Sequence, residues 1–247
     1  RLEYFDETDS TNTRARKLAE EGAPHGTLVV ADRQTAGKGR RGKSWVSPAG
    51  TGIWMSMVLR PPMSPMSASM LTLIAGLAVV RGVKESTGLE AMIKWPNDAV
   101  LNGKKICGIL TEMSTEVECI RYVIPGIGIN VNMDGFPEEI KATATSLKLE
   151  AGRSIKRSLV IAAVADNFEY YYGIFMKTCD MSGLRDDYNK SLVNLGREVL
   201  VLDPRGQYKG KALGIDGEGS LLVRREDGNV SAVISGEVSV RGIYGYV

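Results

Sequence analysis

The residues with the most chemistry to offer lie between Gly37 and Ser44, which read GKGRRGKS. A glycine, four residues and then Gly-Lys-Ser is the spacing of a phosphate loop, in which backbone amides and a lysine hold a nucleotide's phosphates. That chemistry also needs a helix directly after the loop, because its N-terminal amides complete the cradle. Here the chain continues Ser-Trp-Val-Ser-Pro-Ala-Gly-Thr-Gly, and Pro48, Gly50 and Gly52 forbid a regular helix. No convincing buried strand ends in a magnesium-binding aspartate either, so the pattern does not predict a triphosphatase. What remains is Lys38, Arg40, Arg41 and Lys43 on a backbone made pliable by Gly37, Gly39 and Gly42. Such a loop can fold over an anion, with guanidinium forks for carboxylate or phosphate oxygens. The plainer alternative is a solvated basic loop. Three glycines and repelling cations give it little reason to order alone, so it is expected to be mobile until a ligand orders it.

The elements that must position this loop can be read around it. N-cap residues open a helix at Thr11 that runs to about Glu21, and TLVVADRQ is a strand from Thr27 to Asp32. After the loop, GIWMSMVLRP reads as a strand ended by Pro61 and Pro62, and SPMSASMLTLIAGLAVVRGVKESTG as a long helix buried on most sides. AMIKWPNDAVLNGKKICGILTEM reads as strand, turn, strand, strand, with Pro96-Asn97-Asp98 and Asn102-Gly103 as turn signals. CIRYVIPGIGINVNM is a further strand, and helices follow over Ser158 to Met176 and about Gly183 to Asn189. Hairpin-linked strands rather than βαβ alternation predict an α+β domain with a mixed, mostly antiparallel sheet. Past Asn194 the texture changes to short strands (REVLVLD, QYKGKALGID, SLLVRRE, VSAVISGEVSV) split by Pro-Arg-Gly, Asp-Gly-Glu-Gly and Asp-Gly-Asn, which predicts a small β-barrel. The expected division is therefore residues 1–193 and residues 194–247.

Composition bounds the partners. The 247 residues suit one large domain or a large plus a small one, and 43% hydrophobic with 24% charged is ordinary for a globular chain. A net charge of +2 is too near balance to imply a nucleic-acid partner, although Arg33, Lys38, Arg40, Arg41 and Lys43 concentrate positive charge within eleven positions. Cys107, Cys119 and Cys179 form neither a disulfide framework nor a zinc signature, which points to a reducing cytoplasm. The longest apolar run, Leu71 to Val80, has ten residues against the ~20 a membrane crossing needs, so no span is expected. No signal peptide is visible, and a start at Arg1 leaves residues upstream an open matter.

Five segments in order resemble the biotin protein ligase family: Asp9-Ser10-Thr11-Asn12, QTAGKGRRGKSW from Gln34 to Trp45, KWPND from Lys94 to Asp98, KICGIL from Lys105 to Leu110, and GIGIN from Gly126 to Asn130. Each is weak alone; together they are specific and cover nearly the whole chain. Lys38 stands where the family's loop has its first arginine, and a lysine lacks the planar fork. The resemblance implies a class II synthetase-like catalytic domain with an SH3-like C-terminal barrel, in a form whose chain here carries no DNA-binding helix-turn-helix. It implies two steps: biotin's carboxylate attacks the α-phosphate of ATP, giving biotinyl-adenylate, and a lysine of a biotin carboxyl carrier protein then attacks the mixed anhydride.

The resemblance also implies roles. An anionic nucleophile meeting an anionic phosphate needs positive charge at the meeting point, for which Arg40, Lys105 and Lys38 are the candidates. Ser10, Thr11 and Asn12 would ring the ureido and sulfur end of biotin, although a helix N-cap alone explains them too; Gln34 suits a ureido group as donor and acceptor. Lys38, Gly39, Arg40, Lys105, Gly108 and Gly126 join the biotin set, with Gly108, Gly126 and Gly128 expected to admit the ligand close to the backbone. Lys38, Arg40, Arg41, Trp45, Asn97, Lys105 and Asn130 form the ATP and adenylate set, with Trp45 near adenine or in the core. Asp98 would hold the Mg²⁺ that comes with ATP, or help deprotonate the acceptor lysine. Lys104 should point away from Lys105 on a strand. No nucleic acid or membrane is expected as partner, and a homodimer would follow by analogy. The rivals are a lipoate-type ligase and, from another class, a nucleic-acid binder; near-neutral charge and 6% aromatics argue against the second.

Overall fold

The structure, a computed structural model, describes residues 1–116, 119–203, 206–235, 239–242 and 246–247. A seven-stranded sheet carries the larger part. It is built from β1 (Leu2–Thr8), β2 (Thr27–Gln34), β3 (Gly52–Val58), β4 (Met92–Lys94), β5 (Asp98–Leu101), β6 (Lys104–Glu116) and β7 (Cys119–Asn130), in the order β1-β2-β3-β7-β6-β5-β4. Every pair is antiparallel except β1 and β2, which run parallel across α1 (Thr11–Glu20). That one parallel pair makes the sheet mixed and mostly antiparallel, as expected. Parallel neighbours need a crossover, and α1 supplies it.

The strands expected around the loop are present, and β3 is buried along its whole length. Two helices, α2 (Pro65–Ser69) and α3 (Leu71–Thr87), replace the single long one. Together, Pro65–Thr87 is long and apolar enough to cross a membrane by composition, contrary to the reading of the apolar run. Yet 72% of its most apolar window is buried inside the protein, where α3 packs on the sheet and on α5 (Arg157–Phe175). The helices cross at Gly82, where a Cβ would stand 2.8 Å from Val164. Between β7 and α5 lies a short helix, α4 (Leu147–Ala151), capped by the Ser146 hydroxyl accepting the Leu149 N–H. α6 (Arg185–Ser191) then leads toward the second sheet.

That second sheet is five-stranded and antiparallel: β8 (Glu198–Asp203), β9 (Gly206–Ile215), β10 (Leu221–Arg225), β11 (Val230–Val233) and β12 (Ser239–Gly242), in the order β11-β10-β9-β8-β12. Residues 204–205 of the expected Pro-Arg-Gly turn and residues 236–238 of VSAVISGEVSV lie outside the described residues. The two flanks of the latter belong to two separate strands. Buried hydrogen bonds tie the sheets together: the Trp95 indole N–H donates to the Gly219 carbonyl at 3.1 Å, and the Trp95 backbone N–H to Asn194 Oδ1 at 3.1 Å. Arg60 braces the C-terminal end of α1 by donating from Nη2 to the Ala19 carbonyl and to the Ala23 carbonyl just beyond the helix.

Candidate active site

The basic loop leaves β2 at Gln34 and returns to β3 as a folded ribbon. Gln34 pairs with Ser47 and Lys38 with Ser44, and a single 3₁₀ turn, Arg40–Gly42, forms the tip. Backbone N–H groups of Gly39 and Trp45 donate to the carbonyls of Lys43 and Gly37 at 2.7 and 2.8 Å. Gly37 is required, since a Cβ there would lie 2.3 Å from the Trp45 carbonyl oxygen. The loop thus has hydrogen bonds of its own besides the repelling cations it carries. No helix follows Ser44, so the phosphate-loop pattern lacks its helix here.

Beneath the ribbon are two cavities. The inner one holds about 60 Å³ and is lined by Ser10, Thr11, Asn12, Gln34, Lys38, Gly39, Arg40, Lys105, Gly108 and Gly126, together with Trp45, Trp54, Asn97, Gly128 and Leu110 among others. Its polar end is a continuous network. Gln34 Oε1 accepts from the Thr11 N–H at 2.8 Å and lies 3.1 Å from the Thr11 hydroxyl, while Gln34 Nε2 donates to the Ser47 hydroxyl at 2.8 Å. The Ser56 hydroxyl lies 2.8 Å from that of Thr11 and 2.7 Å from Asn12 Oδ1. Asn12 Nδ2 donates to the Leu110 carbonyl at 3.1 Å and to Glu112 Oε2 at 2.8 Å. Ser10 occupies the N-cap position of α1, but its side chain makes no capping bond. The plain capping explanation therefore fails for this serine, and it lines the cavity instead.

The outer cleft is larger, about 570 Å³, and opens between the two sheets. Met133, Phe136, Pro137 and Ile140 give it an apolar wall, while Lys94, Asp98, Asn130, Arg41 and Lys43 give it polar lining. Arg241 and Tyr246 reach it from the C-terminal end of the chain. Gly39, Arg40, Trp45, Asn97 and Lys105 line both spaces and form the wall between them. Lys38 lines the inner cavity alone, so of the residues expected around ATP it is the one set apart from the outer cleft.

The wall is braced from β5 and β6. Arg40 Nη1 donates to Asn97 Oδ1 at 2.7 Å, and Asn97 Nδ2 to the Ile109 carbonyl at 3.2 Å. Lys105 Nζ lies 2.6 Å from Asp98 Oδ1 and 5.2 Å from the centre of the Trp45 ring. Lys104 is exposed on the opposite side of the strand, as alternation requires. Burial, then the neighbouring Arg41, draws the Arg40 guanidinium below its usual range against the pull of Asp98. Burial also lowers the Lys94 ammonium to about 8; Asp98 opposes this, while Lys105, Arg241 and Arg40 add to it. These cations crowd a small space, an arrangement that invites polyanions. Burial pushes the Cys107 thiol up, so it is no nucleophile.

The glycines give close approach to the backbone. A Cβ on Gly126 would lie 1.9 Å from Asn12 Oδ1, and Cβ atoms on Gly108 and Gly128 would each lie 2.8 Å from the Trp45 indole. In this structure the side chains of Asn12 and Trp45 come up against them. One Asp98 oxygen faces Lys105 and the other accepts the Tyr246 hydroxyl, and no group of three or more His, Cys, Asp or Glu among the described residues could hold a metal ion by itself. A magnesium ion here would need the phosphates of ATP for most of its ligands. Asn130 donates from Nδ2 to the Thr145 carbonyl at 3.1 Å, beside the cleft it lines.

Sequence reading missed Ser56, Glu112, Lys94 and Tyr246. Ser56 had a signal, being the one hydroxyl in the otherwise apolar IWMSMVL, and so did Glu112, a carboxylate after the apolar ICGIL. Lys94 stood inside a quoted motif. Nothing near Tyr246 marked it.

Known proteins can now be set beside this site. The Biotin/lipoate A/B protein ligase family profile matches residues 4–130, and the Biotin protein ligase C terminal domain matches residues 195–241. The chain is 43% identical over 241 residues to the bifunctional ligase/repressor BirA of Bacillus subtilis, covering 97% of this chain and 74% of that protein. It is 34% identical to the biotin–[acetyl-CoA-carboxylase] ligase of Paracoccus denitrificans over 88% of this chain and 91% of that one. Among solved structures, it resembles the Aquifex aeolicus biotin protein ligase in complex with biotin and ATP, with a TM-score of 0.85, 34% identity and 98% of each chain covered.

Proposed function

As the chain belongs to the biotin protein ligase family, we propose that its inner cavity receives biotin, its outer cleft receives ATP, and the wall between them is where the two react. The protein is an ATP-dependent biotin ligase. The observation that carries the assignment of the cavities is the shared wall, with Arg40, Asn97 and Lys105 facing both spaces. The ring of Ser10, Thr11, Asn12 and Gln34 suits the ureido and sulfur end of biotin, because it offers hydroxyls and amides of both polarities in a confined space. Biotin's carboxylate then points to the wall, and the α-phosphate of ATP approaches from the other side. Arg40 and Lys105 neutralise both reactants as they close, and most strongly in the transition state, where charge on the phosphoryl oxygens is greatest. The substrate carboxylate is the nucleophile, and pyrophosphate leaves into the outer cleft, where Arg41 and Lys43 stand.

Magnesium enters this scheme bound to the triphosphate, since Asp98 is engaged by Lys105 and Tyr246. Asp98 then orients Lys105. In the second step a lysine of a biotin carboxyl carrier protein attacks the anhydride from the outer side. A cytoplasmic setting and a homodimer belong to the same reading; β1, at the edge of the larger sheet, offers a second copy a strand to pair with.

The test needs one mixture: the protein, biotin, MgATP and a biotin carboxyl carrier domain, with lipoate as the competing acid. Mass spectrometry should find one biotin on the carrier and no lipoate. Arg40→Gly should release the adenylate to stray lysines, so that bystander proteins acquire biotin. A variant that modifies only the carrier and holds the adenylate as tightly as wild type would remove Arg40 from this role.

A further inference from the structure

Asp98 is the hinge of the charged wall. Oδ1 forms an ion pair with Lys105 Nζ at 2.6 Å without making a hydrogen bond, and Oδ2 accepts the hydroxyl of Tyr246, the second residue from the end of the chain. The same tyrosine ring carries Lys94 Nζ at 4.1 Å from its centre, and the side chain lines the outer cleft. The tail is seated on both sides: Val247 lies 3.2 Å from where a Cβ on Gly103 would be, and packs on Gly242 so closely that a Cβ there would meet its carbonyl. We propose that Tyr246 is a positioning residue that holds Asp98, and through it Lys105, at the wall between the two cavities.

The physical case rests on rotation and on competition. A carboxylate held by one partner can swing about its Cα–Cβ bond and take its lysine along, whereas one held at both oxygens cannot. Lys94 is the competitor. It is a second ammonium close to Asp98, and the face of the tyrosine ring gives it a separate resting place through the ring's quadrupole. Burial and the nearby Asp98 raise the phenol, so it remains a donor. The sheet that bears the chemistry is thus tied, through one phenol, to the last residues after β12.

The inference rests on the reading that Lys105 acts at the wall, and the variants separate the two. Tyr246→Phe keeps the ring over Lys94 and removes the hydroxyl; Tyr246→Ala, or truncation after Gly245, removes both. In pyrophosphate-release assays, Tyr246→Phe should lower kcat for adenylation about tenfold, the low end of what losing an orienting partner behind a functional group costs, with KM for biotin and ATP unchanged. Tyr246→Ala should lose as much in kcat and also raise KM for ATP. In a Lys105→Ala background, Tyr246→Phe should add no further loss, because the residue it positions is gone. A wild-type or faster kcat in Tyr246→Phe, or an undiminished loss in the Lys105→Ala background, overturns the proposal. If Lys105→Ala itself leaves adenylation unchanged, the reading of the wall fails instead.

Discussion

Lys105→Ala should slow adenylate formation by about 10²–10³-fold, the range for removing one donor aimed at developing charge. Biotin binding should weaken less, because the inner network of Thr11, Asn12, Gln34 and Ser56 does not include Lys105. The size of the effect follows from location. Lys105 lines both cavities, is paired with Asp98 and lies against the Trp45 ring, so its ammonium is held rather than free in solvent. A point charge fixed before the reaction costs no reorganisation when the phosphoryl charge develops. Single-turnover measurement of pyrophosphate release with saturating biotin and MgATP gives the rate directly. A Lys105→Ala rate equal to wild type would take this lysine out of the chemistry. Lys104→Ala is the control, since Lys104 is exposed on the other side of β6 and the rate should not change.

The second large effect comes from a single methyl group. Gly126→Ala should weaken biotin binding by roughly 10- to 100-fold, the equivalent of the 1–3 kcal/mol that overpacking costs. The new Cβ would fall 1.9 Å from Asn12 Oδ1 and 2.8 Å from its Cγ. Asn12 has nowhere to go: it is 4% exposed and bonded to Ser56, Glu112 and the Leu110 carbonyl. The strain must therefore pass to β7 or break the network around the inner cavity. Calorimetric titration with biotin reads the loss. The double variant Gly126→Ala with Asn12→Ala tells which part suffers: relief of the clash should restore the melting temperature, while the affinity stays low because the amide is missing. Full recovery of affinity in the double variant would show that Asn12 does not contact biotin.

Particular residues show how far the sequence could be read. The loop, the Pro96 turn and the Asn102-Gly103 hairpin were legible because each rests on local chemistry, and the strands around them fell where alternation put them. Every residue expected around biotin lines the inner cavity. β1 was not legible: LEYFDET alternates weakly, Leu2 and Tyr4 stay 65% and 59% exposed, and only pairing with β2 makes it a strand. The glycines were noticed for the right reason, close approach, but what approaches them is Asn12 and Trp45, neighbours in space whose distance no spacing encodes. The internal bonds of the basic loop escaped because they run across the ribbon, Gly39 to Lys43 and Trp45 to Gly37. Tyr246 escaped altogether, since its partner lies 148 positions away in the chain.

The placement of Trp45 also makes the protein its own optical instrument. The chain has three tryptophans, and Trp54 and Trp95 are each 1% exposed, with indole N–H groups bonded to backbone carbonyls. Trp95 lines neither cavity, so its emission should be nearly blind to ligand; Trp54 lines the inner cavity but is held by its hydrogen bond to the Asp32 carbonyl, so its response should be smaller than that of Trp45. Trp45 rests on Gly108 and Gly128, its indole N–H buried without a hydrogen-bond partner. The inner cavity at about 60 Å³ is well below the about 150 Å³ that accommodates a benzene, so its lining should adjust to a bicyclic guest, and the unbonded indole of Trp45 is the side chain expected to move. Stopped-flow fluorescence with biotin alone should report that movement in real time, and Trp45→Phe should remove most of it, leaving only the smaller response of Trp54.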